Sequence, residues 1–570
     1  MRNKRMLLSN MELLATAPGG VAKLRELILT LAVQGKLVPQ DPADEPASVL
    51  LQKIRAEKDR LIAEGKIKRD KPLPEIAEEE KLFDLPVGWG WARIGELGEV
   101  VGGGTPRSDE PKYWASKGIP WLTPADLYGR REVTVAAGRR DISVEGLASS
   151  SARVLPAGTV LFSSRAPIGY VAIAANSLAT NQGFKSCVPH LAGLSHYLYW
   201  HLKQLARKID SEASGTTFKE ISGKDFANVV LSLPPLAEQS RIVTRVEALM
   251  RLCDALEAKG QLEAAQHAQL VSTLLGTLTT STTPEELADN WQRVAQHFDL
   301  LLDRPEAIDA LEQTLLQLAV RGLLAPQDPI DEPASALLQK IRAEKDRLIA
   351  TGQIKRDKPL PPITDEEKPF ELPVGWEWVT VADVCSVVTD GEHATPERCD
   401  DPSQVPLVTA KNVRSETMDY SVTDYVPRPV AEQCWKRCKP EVGDVLMVSV
   451  GATLGRLSVL RDAAEMVLVR SVTVLRPVHV GLDVSYFALH LMSPQTQKEI
   501  WGSVKQSAQP CLYLAKSSAL KVALPPLAEQ SRIVTRVTAL RRLCADLRQR
   551  LAERQSVQAR LAEALVTSVA

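Results

Sequence analysis

Several things are scarce in this chain, and each shortage closes a class of function. Histidine occurs eight times in 570 residues, too sparsely and too scattered for a convincing nucleophile–histidine–acid arrangement. Eight cysteines show no disulfide-framework spacing, which points to a reducing compartment, the cytoplasm. No run approaches the roughly 18 apolar residues that a membrane span needs. The opening MRNKRMLLSNMELLATAPGG is basic but lacks a signal peptide's apolar stretch. Neither charge sign is in excess: 69 Lys and Arg face 70 Asp and Glu, for a formal net charge of −1. That balance neither requires nor excludes a nucleic-acid partner, because such footprints are local. What is present is ordinary for a globular protein, 44% hydrophobic and 24% charged residues, and the length suits three or four structural units.

Catalytic motifs are missing too. Adenine methylation calls for an Asn/Asp-Pro-Pro-aromatic loop, yet every Pro-Pro pair here follows Leu. The nearest text to a phosphate-binding loop, SGKD (222–225), lacks the hydroxyl that would hold Mg²⁺. The acidic-acidic-Lys matches at 79–81 and 366–368 sit in charged linkers. Cys434-x3-Cys438, with His393 and Cys399 upstream, is too loosely spaced for a zinc site and reads as ordinary thiols. The chain is therefore expected to be non-catalytic and metal-free.

What the sequence does have is a duplication. LPPLAEQSRIVTRV runs from Leu233 to Val246 and returns from Leu524 to Val537, 291 positions on. A front module is also doubled: Pro39–Pro74 and Pro326–Pro361 differ at four of 36 positions, namely Ala43/Ile330, Val49/Ala336, Glu64/Thr351 and Lys66/Gln353. The match extends to LAVQGKL (31–37) against LAVRGLL (318–324) and LPVGWGW (85–91) against LPVGWEW (372–378). Two copies at this period exclude a solenoid. The regions between, roughly 92–232 and 379–523, align poorly, so the same frame meets two different demands.

In each LPPLAEQ module the Pro-Pro pair ends a strand-like run and pre-sets a helix, with Glu238 and Glu529 in its first turn. Ile242, Val246, Leu249, Cys253 and Leu256 follow at heptad spacing, as do Ile533, Val537, Leu540, Cys544, Leu547 and Leu551. Continued, the register meets Glu263, His267, Arg554 and Gln558, then regains Leu270, Leu274, Leu561 and Leu565. These stripes suit two amphipathic helices packed on a nearby surface; alternatively, two rods of about 60 Å pack antiparallel and act as a spacer. The seam is thus a candidate helix-pair or partner interface. ASVLLQKIRAEKDRLIAEG adds a charged helix with an apolar stripe of Leu50, Leu51, Ile54, Leu61 and Ile62, stopped by Gly65 as by Gly352 in its copy. KIKRDKPLP reads as a solvated connector, and TTSTTPEELADN (279–290) as the linker between halves.

The first middle region carries VVGGGTPRSDEPKYW, SSRAPIGYVAIAANSLATNQGFKS and SGTTFKEIS; the second carries VVTDGEHATPE, VPLVTAKNV and GDVLMVSVGATLGRLSVL. Both suit an α/β domain with a twisted, mostly antiparallel sheet, exposed loops and one helical stretch (SHYLYWHLKQLARKI; VSYFALHLMSPQTQKEI). In these motifs and their order the chain resembles the specificity subunit of Type I restriction–modification enzymes over nearly its whole length. The resemblance implies an α+β fold: two α/β target recognition domains separated by a pair of long antiparallel helices, with a pseudo-two-fold internal repeat. It implies a subunit that reads a bipartite site in double-stranded DNA, docks two modification (methyltransferase) subunits and is joined by restriction (translocase/nuclease) subunits. S-adenosylmethionine, ATP and Mg would then belong to those partners, and this chain would bind none.

The boundaries expected are an N-terminal helical module (1–88), a first recognition domain (89–232), a first long helix (233–278), linker plus second helical module (279–375), a second recognition domain (376–523) and a second long helix (524–570). Loop side chains able to reach the major groove are the candidate DNA contacts. They are Thr105, Arg107, Arg165, Thr217 and Lys219 in the first domain and Glu392, His393, Lys411, Asn412, Lys505 and Gln506 in the second, each set against a plain structural or solvated role. Gly102, Gly103, Gly104 and Gly391 suit turns more than contact. KQSAQPCLYL (505–514) replaces SGTTFKEIS, which leaves a shared contact there in doubt. Residues 89–232 hold 16 Lys/Arg against 12 Asp/Glu, but 376–523 hold 15 against 17, so phosphate neutralisation is expected partly from partners. A coiled-coil scaffold that reads no DNA would account for the doubled helices but not for two dissimilar domains.

Overall fold

The computed structural model describes residues 11–69, 71–165, 167–213, 219–281, 283–356, 358–462, 465–504 and 509–568. The chain divides into two compact units, Met1–Leu262 with Gln555–Ala570, and Glu263–Arg554. Each unit ties the ends of its middle region together with a two-stranded antiparallel ladder. In the first, Gly90–Arg93 pairs with Val230–Leu233, Gly90 opposite Leu233. In the second, Glu377–Thr380 pairs with Lys521–Leu524, Glu377 opposite Leu524. Each middle region is thus an excursion that leaves and re-enters a common frame.

In the first excursion a five-stranded sheet runs in the order Gly98–Gly102, Lys185–Pro189, Val160–Phe162, Val171–Ala174, Thr134–Val135. A four-stranded sheet holds Trp114–Ala115, Arg140–Ile142, Ile119–Leu122 and Ala179–Thr180. The second excursion has four strands (Cys385–Asp390, Val472–Pro477, Val445–Val448, Leu457–Val459) and three (Asp424–Val426, Val405–Val408, Val467–Leu468). Pairing is mostly antiparallel, with Ile119–Leu122 parallel to Ala179–Thr180, Thr134–Val135 parallel to Val171–Ala174 and Val405–Val408 parallel to Val467–Leu468. The strand VLMV at 445–448 is buried along its whole length because it faces two cores. Val445 and Met447 join the helical side, while Leu446 and Val448, pointing oppositely, join a second cluster toward the loops.

The helical stretch of the first excursion is one helix, Ser195–Glu212. Its counterpart is two, Val484–Met492 and Pro494–Gly502. Pro494 has no N–H to continue the ladder, and the Ser493 side chain caps the new helix by accepting from the Thr496 N–H. Two side-chain anchors recur between helix and closing ladder. Tyr197 donates to the Ser232 carbonyl at 2.9 Å, and Tyr486 to that of Ala523 at 2.6 Å. His201 Nε2 accepts from the Ser232 N–H at 3.1 Å, and His490 Nε2 from that of Ala523 at 3.0 Å. Burial pushes these imidazoles down to about 4 and about 3, so both stay neutral acceptors inside the fold.

The long helices span Leu236–Thr280 and Leu527–Thr567. Within its own unit each seam is covered by a short helix. Ile242, Val246 and Cys253, with Leu249 and Leu256 at the edge, share a core with Leu24, Ile28, Leu29 and Ala32 of the helix Gly20–Val33. Ile533 and Val537 share one with Leu316 and Ala319. Cys544 and Leu551, flanked by Leu540 and Leu547, share one with Ile308, Leu311 and Leu315 of the helix Pro305–Val320, and with Val271, Leu275 and Leu278 of the first long helix. The seam residues therefore belong to the core or its edge rather than to an open partner surface, and burying each fully covered aliphatic one contributes about 1.5–3 kcal/mol. The strict heptad does not continue. Leu270 and Leu561 are exposed, while Val271 and Ala562 are buried. Each lies 18 residues beyond the buried cysteine of its helix, five turns at 3.6 residues, as a straight helix requires.

Three further expectations change or sharpen. The stretch 279–290 is not all linker: Pro284–Gln296 is a helix, capped by Thr283, whose hydroxyl accepts from the Glu286 N–H at 3.1 Å. Asn290 folds it back by donating to Ser281 Oγ at 3.0 Å. At the other end, Ala562 and Val566 of the second long helix pack with Leu14 and Ala17, and Glu563 pairs with Lys23 at 2.7 Å, so the C-terminal segment belongs to the N-terminal unit. Gly65 and Gly352 end their helices at φ +67° and +71°, a conformation that favours glycine.

The doubled letters do doubled work. Glu238 is buried and accepts from Trp89 Nε1 at 2.9 Å and Gln40 Nε2 at 3.2 Å. Glu529 accepts from Trp376 Nε1 at 2.9 Å. Arg241 pairs with Asp44, and Arg532 with Asp331. The Ala47 N–H meets the Gly88 carbonyl at 2.8 Å, as that of Ala334 meets Gly375. LPPLAEQ and PQDPxDEPAS recur because each clasps the other.

Candidate nucleic-acid interface

In the first unit, five stretches that are separate in sequence are bound into one loop cluster by backbone hydrogen bonds. The Gly104 N–H reaches the Thr180 carbonyl at 2.9 Å, Ser164 reaches Gly183 at 2.7 Å, Ile221 reaches Ser164 at 3.0 Å, and Asn181 reaches Leu122 at 2.9 Å. Trp121 fixes the glycine run by donating to the Gly104 carbonyl at 3.0 Å. Gly103 and Gly104 are there for close approach: a Cβ on Gly103 would stand 1.9 Å from the Asn181 carbonyl oxygen, and one on Gly104 2.2 Å from the Ala152 nitrogen.

The second unit repeats this frame bond for bond. The Glu392 N–H reaches the Leu468 carbonyl at 2.7 Å, Ser449 reaches Ser471 at 2.9 Å, Leu512 reaches Ser449 at 2.9 Å, and Val469 reaches Val408 at 3.2 Å. A Cβ on Gly391 would lie 2.2 Å from the Leu468 carbonyl oxygen. The sheet registers agree, since Gly102 faces Lys185 where Asp390 faces Thr473. These bonds set Thr105 against His393, Gln182 against Arg470, Arg165 against Val450, and Lys219 against Pro510. The backbone is shared; the side chains are not.

Of the residues expected from sequence, Thr105, Arg107, Arg165 and Lys219 all lie on the first cluster. Thr105 is exposed and donates to Gln182 Oε1. Arg107 is exposed and pairs with Asp109 at 2.9 Å, holding that carboxyl below the usual range. Arg165 stands 3.9 Å from Glu220, with which it forms a β-bridge. Lys219 donates to the Asp210 carbonyl at 3.3 Å. On the second cluster, His393 Nε2 lies 2.8 Å from Asp390 and 3.0 Å from the Arg437 guanidinium. Glu392 is drawn inward, its Oε1 accepting from the His393 and Ala394 N–H groups at 2.9 and 3.2 Å, which makes it a turn former. Thr217, Lys505 and Gln506 lie outside the described residues.

Lys411 and Asn412 sit on a neighbouring turn. Lys411 is 3.5 Å from Asp424. Asn412 is a correction. It is fully buried; Oδ1 accepts from the Thr409 N–H and hydroxyl at 2.9 and 3.1 Å, and Nδ2 donates to the Asp419 and Val422 carbonyls and to Thr423 Oγ1 at 3.0–3.1 Å. Its hydrogen-bonding capacity is filled inside the protein, so its side chain holds the turn and is not exposed as expected. Asp126 does the same in the first unit, accepting from the Thr123 N–H and hydroxyl, both at 2.7 Å.

Gln182 and Arg470 were not singled out from sequence. Both are exposed, and Arg470 has no ion pair among the described residues. Nothing local aligns TNQG with LVRS; the equivalence appears only through the hydrogen-bonded frame. Among the described residues no group of three or more His, Cys, Asp or Glu could hold a metal ion, and Cys434 and Cys438 fall in separate cores. Among the described residues no helix is long and apolar enough to cross a membrane.

Residues 86–266 and 373–554 match the family model of the Type I restriction modification DNA specificity domain. The chain is 34% identical over 560 residues to the Escherichia coli Type I restriction enzyme EcoEI specificity subunit, covering 96% of this chain and 93% of that subunit. It is 43% identical over 378 residues to the E. coli EcoAI specificity subunit, covering 64% of this chain and 62% of that one. Among solved structures, the HsdS subunit from Thermoanaerobacter tengcongensis aligns over 86% of this chain and 98% of its own at 18% identity and a TM-score of 0.37. The family assignment rests on the sequence matches.

Proposed function

Since this chain belongs to the Type I restriction modification DNA specificity family, we propose that it is a non-catalytic reader whose two loop clusters each recognise one half of a bipartite DNA site. Each excursion presents loops on the same rigid frame, and the side chains on equivalent positions differ, so two unlike sequences are read by two like platforms. That substitution pattern on a repeated backbone is the observation that carries the reading. A DNA-blind scaffold gives no reason for it.

The chemistry lies with partners of this cytoplasmic chain. Two modification subunits, carrying S-adenosylmethionine, methylate an adenine in each half-site; restriction subunits using ATP and Mg²⁺ join outside them. The doubled front modules support two copies of one partner, because they offer one surface twice. With 15 Lys/Arg against 17 Asp/Glu in residues 376–523, the second platform needs cationic partners to grip phosphates. Sequencing methylated adenines in DNA from cells that express this chain with its modification partner tests the reading. A two-part motif with a fixed gap is expected; a single contiguous motif contradicts it.

A further inference from the structure

We infer that Gln182 and Arg470 are the equivalent base-reading side chains of the two platforms, Gln182 selecting an adenine and Arg470 a guanine. The inference rests on the proposed DNA-reading function and names where one base of each half-site is chosen.

Both residues stand at one position of the shared frame. Each follows the residue whose N–H closes the parallel strand pair, Asn181 onto Leu122 and Val469 onto Val408. Each precedes the residue whose carbonyl accepts from the serine loop, Gly183 from Ser164 and Ser471 from Ser449. Bonded on both sides, the backbone leaves these side chains little positional freedom, and both are exposed. Reading a base edge demands that combination: a fixed Cα and an uncovered polar head.

The chemistry of the heads differs in a way the major groove can use. Thr105 donates to Gln182 Oε1, which fixes the amide's orientation and, among the described residues, leaves an Oε1 lone pair and both Nε2 hydrogens open. Adenine offers the complement, the N6 donor beside the N7 acceptor. Arg470 has only donors, paired with no carboxylate among the described residues, and guanine offers two acceptors, O6 and N7. In the second platform His393, at the position of Thr105, is held by Asp390 and Arg437. Thr105 is thus a positioning residue particular to the first platform.

The test is the methylated motif produced by the full chain with its modification partner, determined for wild type, Gln182→Arg, Arg470→Gln and the milder Gln182→Ala and Arg470→Ala. Arg470→Gln should replace a guanine by an adenine at one position of one half-site and leave the other half unchanged; Gln182→Arg should do the reverse in the opposite half. The alanine variants should relax preference at those same positions by on the order of tenfold to a hundredfold. If a reciprocal variant abolishes methylation, its alanine counterpart decides. Alanine variants that keep every base preference of the wild type overturn the inference while the bipartite reading stands. A wild-type complex with no two-part motif overturns the reading itself.

Discussion

Arg25 and Glu257 face each other at 3.2 Å, joining the helix Gly20–Val33 to the first long helix. At the equivalent place in the other unit, Glu312 and Arg548 meet at 2.6 Å with the charges exchanged. The surrounding apolar residues are nearly interchangeable between units, so hydrophobic packing alone would let either short helix cover either long one. Opposite polarity penalises the wrong choice, which would set Arg25 against Arg548 and Glu312 against Glu257.

Glu312→Arg should therefore destabilise the second unit, and adding Arg548→Glu should recover part of the loss. Glu312 touches both Arg541 and Arg548; burial raises its pKa, but these two hydrogen-bond partners outweigh that and hold it below the ordinary value. Losing its charged hydrogen bonds costs about 1.5–3 kcal/mol. Denaturant unfolding of the single and double variants checks it, and a double variant no better than the single counts against a pairing role.

Trp89→Phe should cost about 1–3 kcal/mol, because it leaves one Glu238 oxygen buried without its donor. Burial pushes the carboxyls of Glu238 and Glu529 above the ordinary glutamate value, although hydrogen bonds from Trp89 and Trp376 pull the other way. An acid raised in the folded state binds more protons there than in the unfolded chain. Its contribution to stability accordingly declines as pH climbs from the ordinary glutamate value to the raised one, and is level above it. Glu238→Gln with Glu529→Gln should remove that slope, as read from unfolding midpoints across the acid range.

Asn412→Ala should destabilise the second unit by about 2–4 kcal/mol without altering which bases are methylated, because the amide holds a turn. A changed motif at normal stability would return Asn412 to the reading surface.

Truncation before Gln555 should uncover Leu14 and Ala17 and remove Glu563, which pairs with Lys23. Hydrogen exchange should then quicken in residues 11–33 but not in 305–320. Equal change in both segments contradicts a local closure.

The frame was legible in the letters because duplication exposes it: the Pro-Pro helix starts, the glycine stops and the apolar stripe came directly from PQDP and LPPLAEQ. What covers that stripe was not, since a seam shows that something apolar packs there but not what, and a nearby short helix competes with a distant long one on equal terms. The helix Pro284–Gln296 was hidden by its threonine-rich approach, although Thr283 with Glu286 marks a capped start. On the loops, residue type proved a poor guide. Asn412 and Gln182 are both amides in loops, and only the hydrogen-bonded frame buries the one and presents the other.

The most direct measurement replaces residues 89–232 by 376–523, so that both frames carry the same platform, and sequences the adenines methylated by the resulting complex. Two like platforms on a repeated frame should yield a site whose two halves are the same sequence. Methylation that retains the original first half-site would contradict the account.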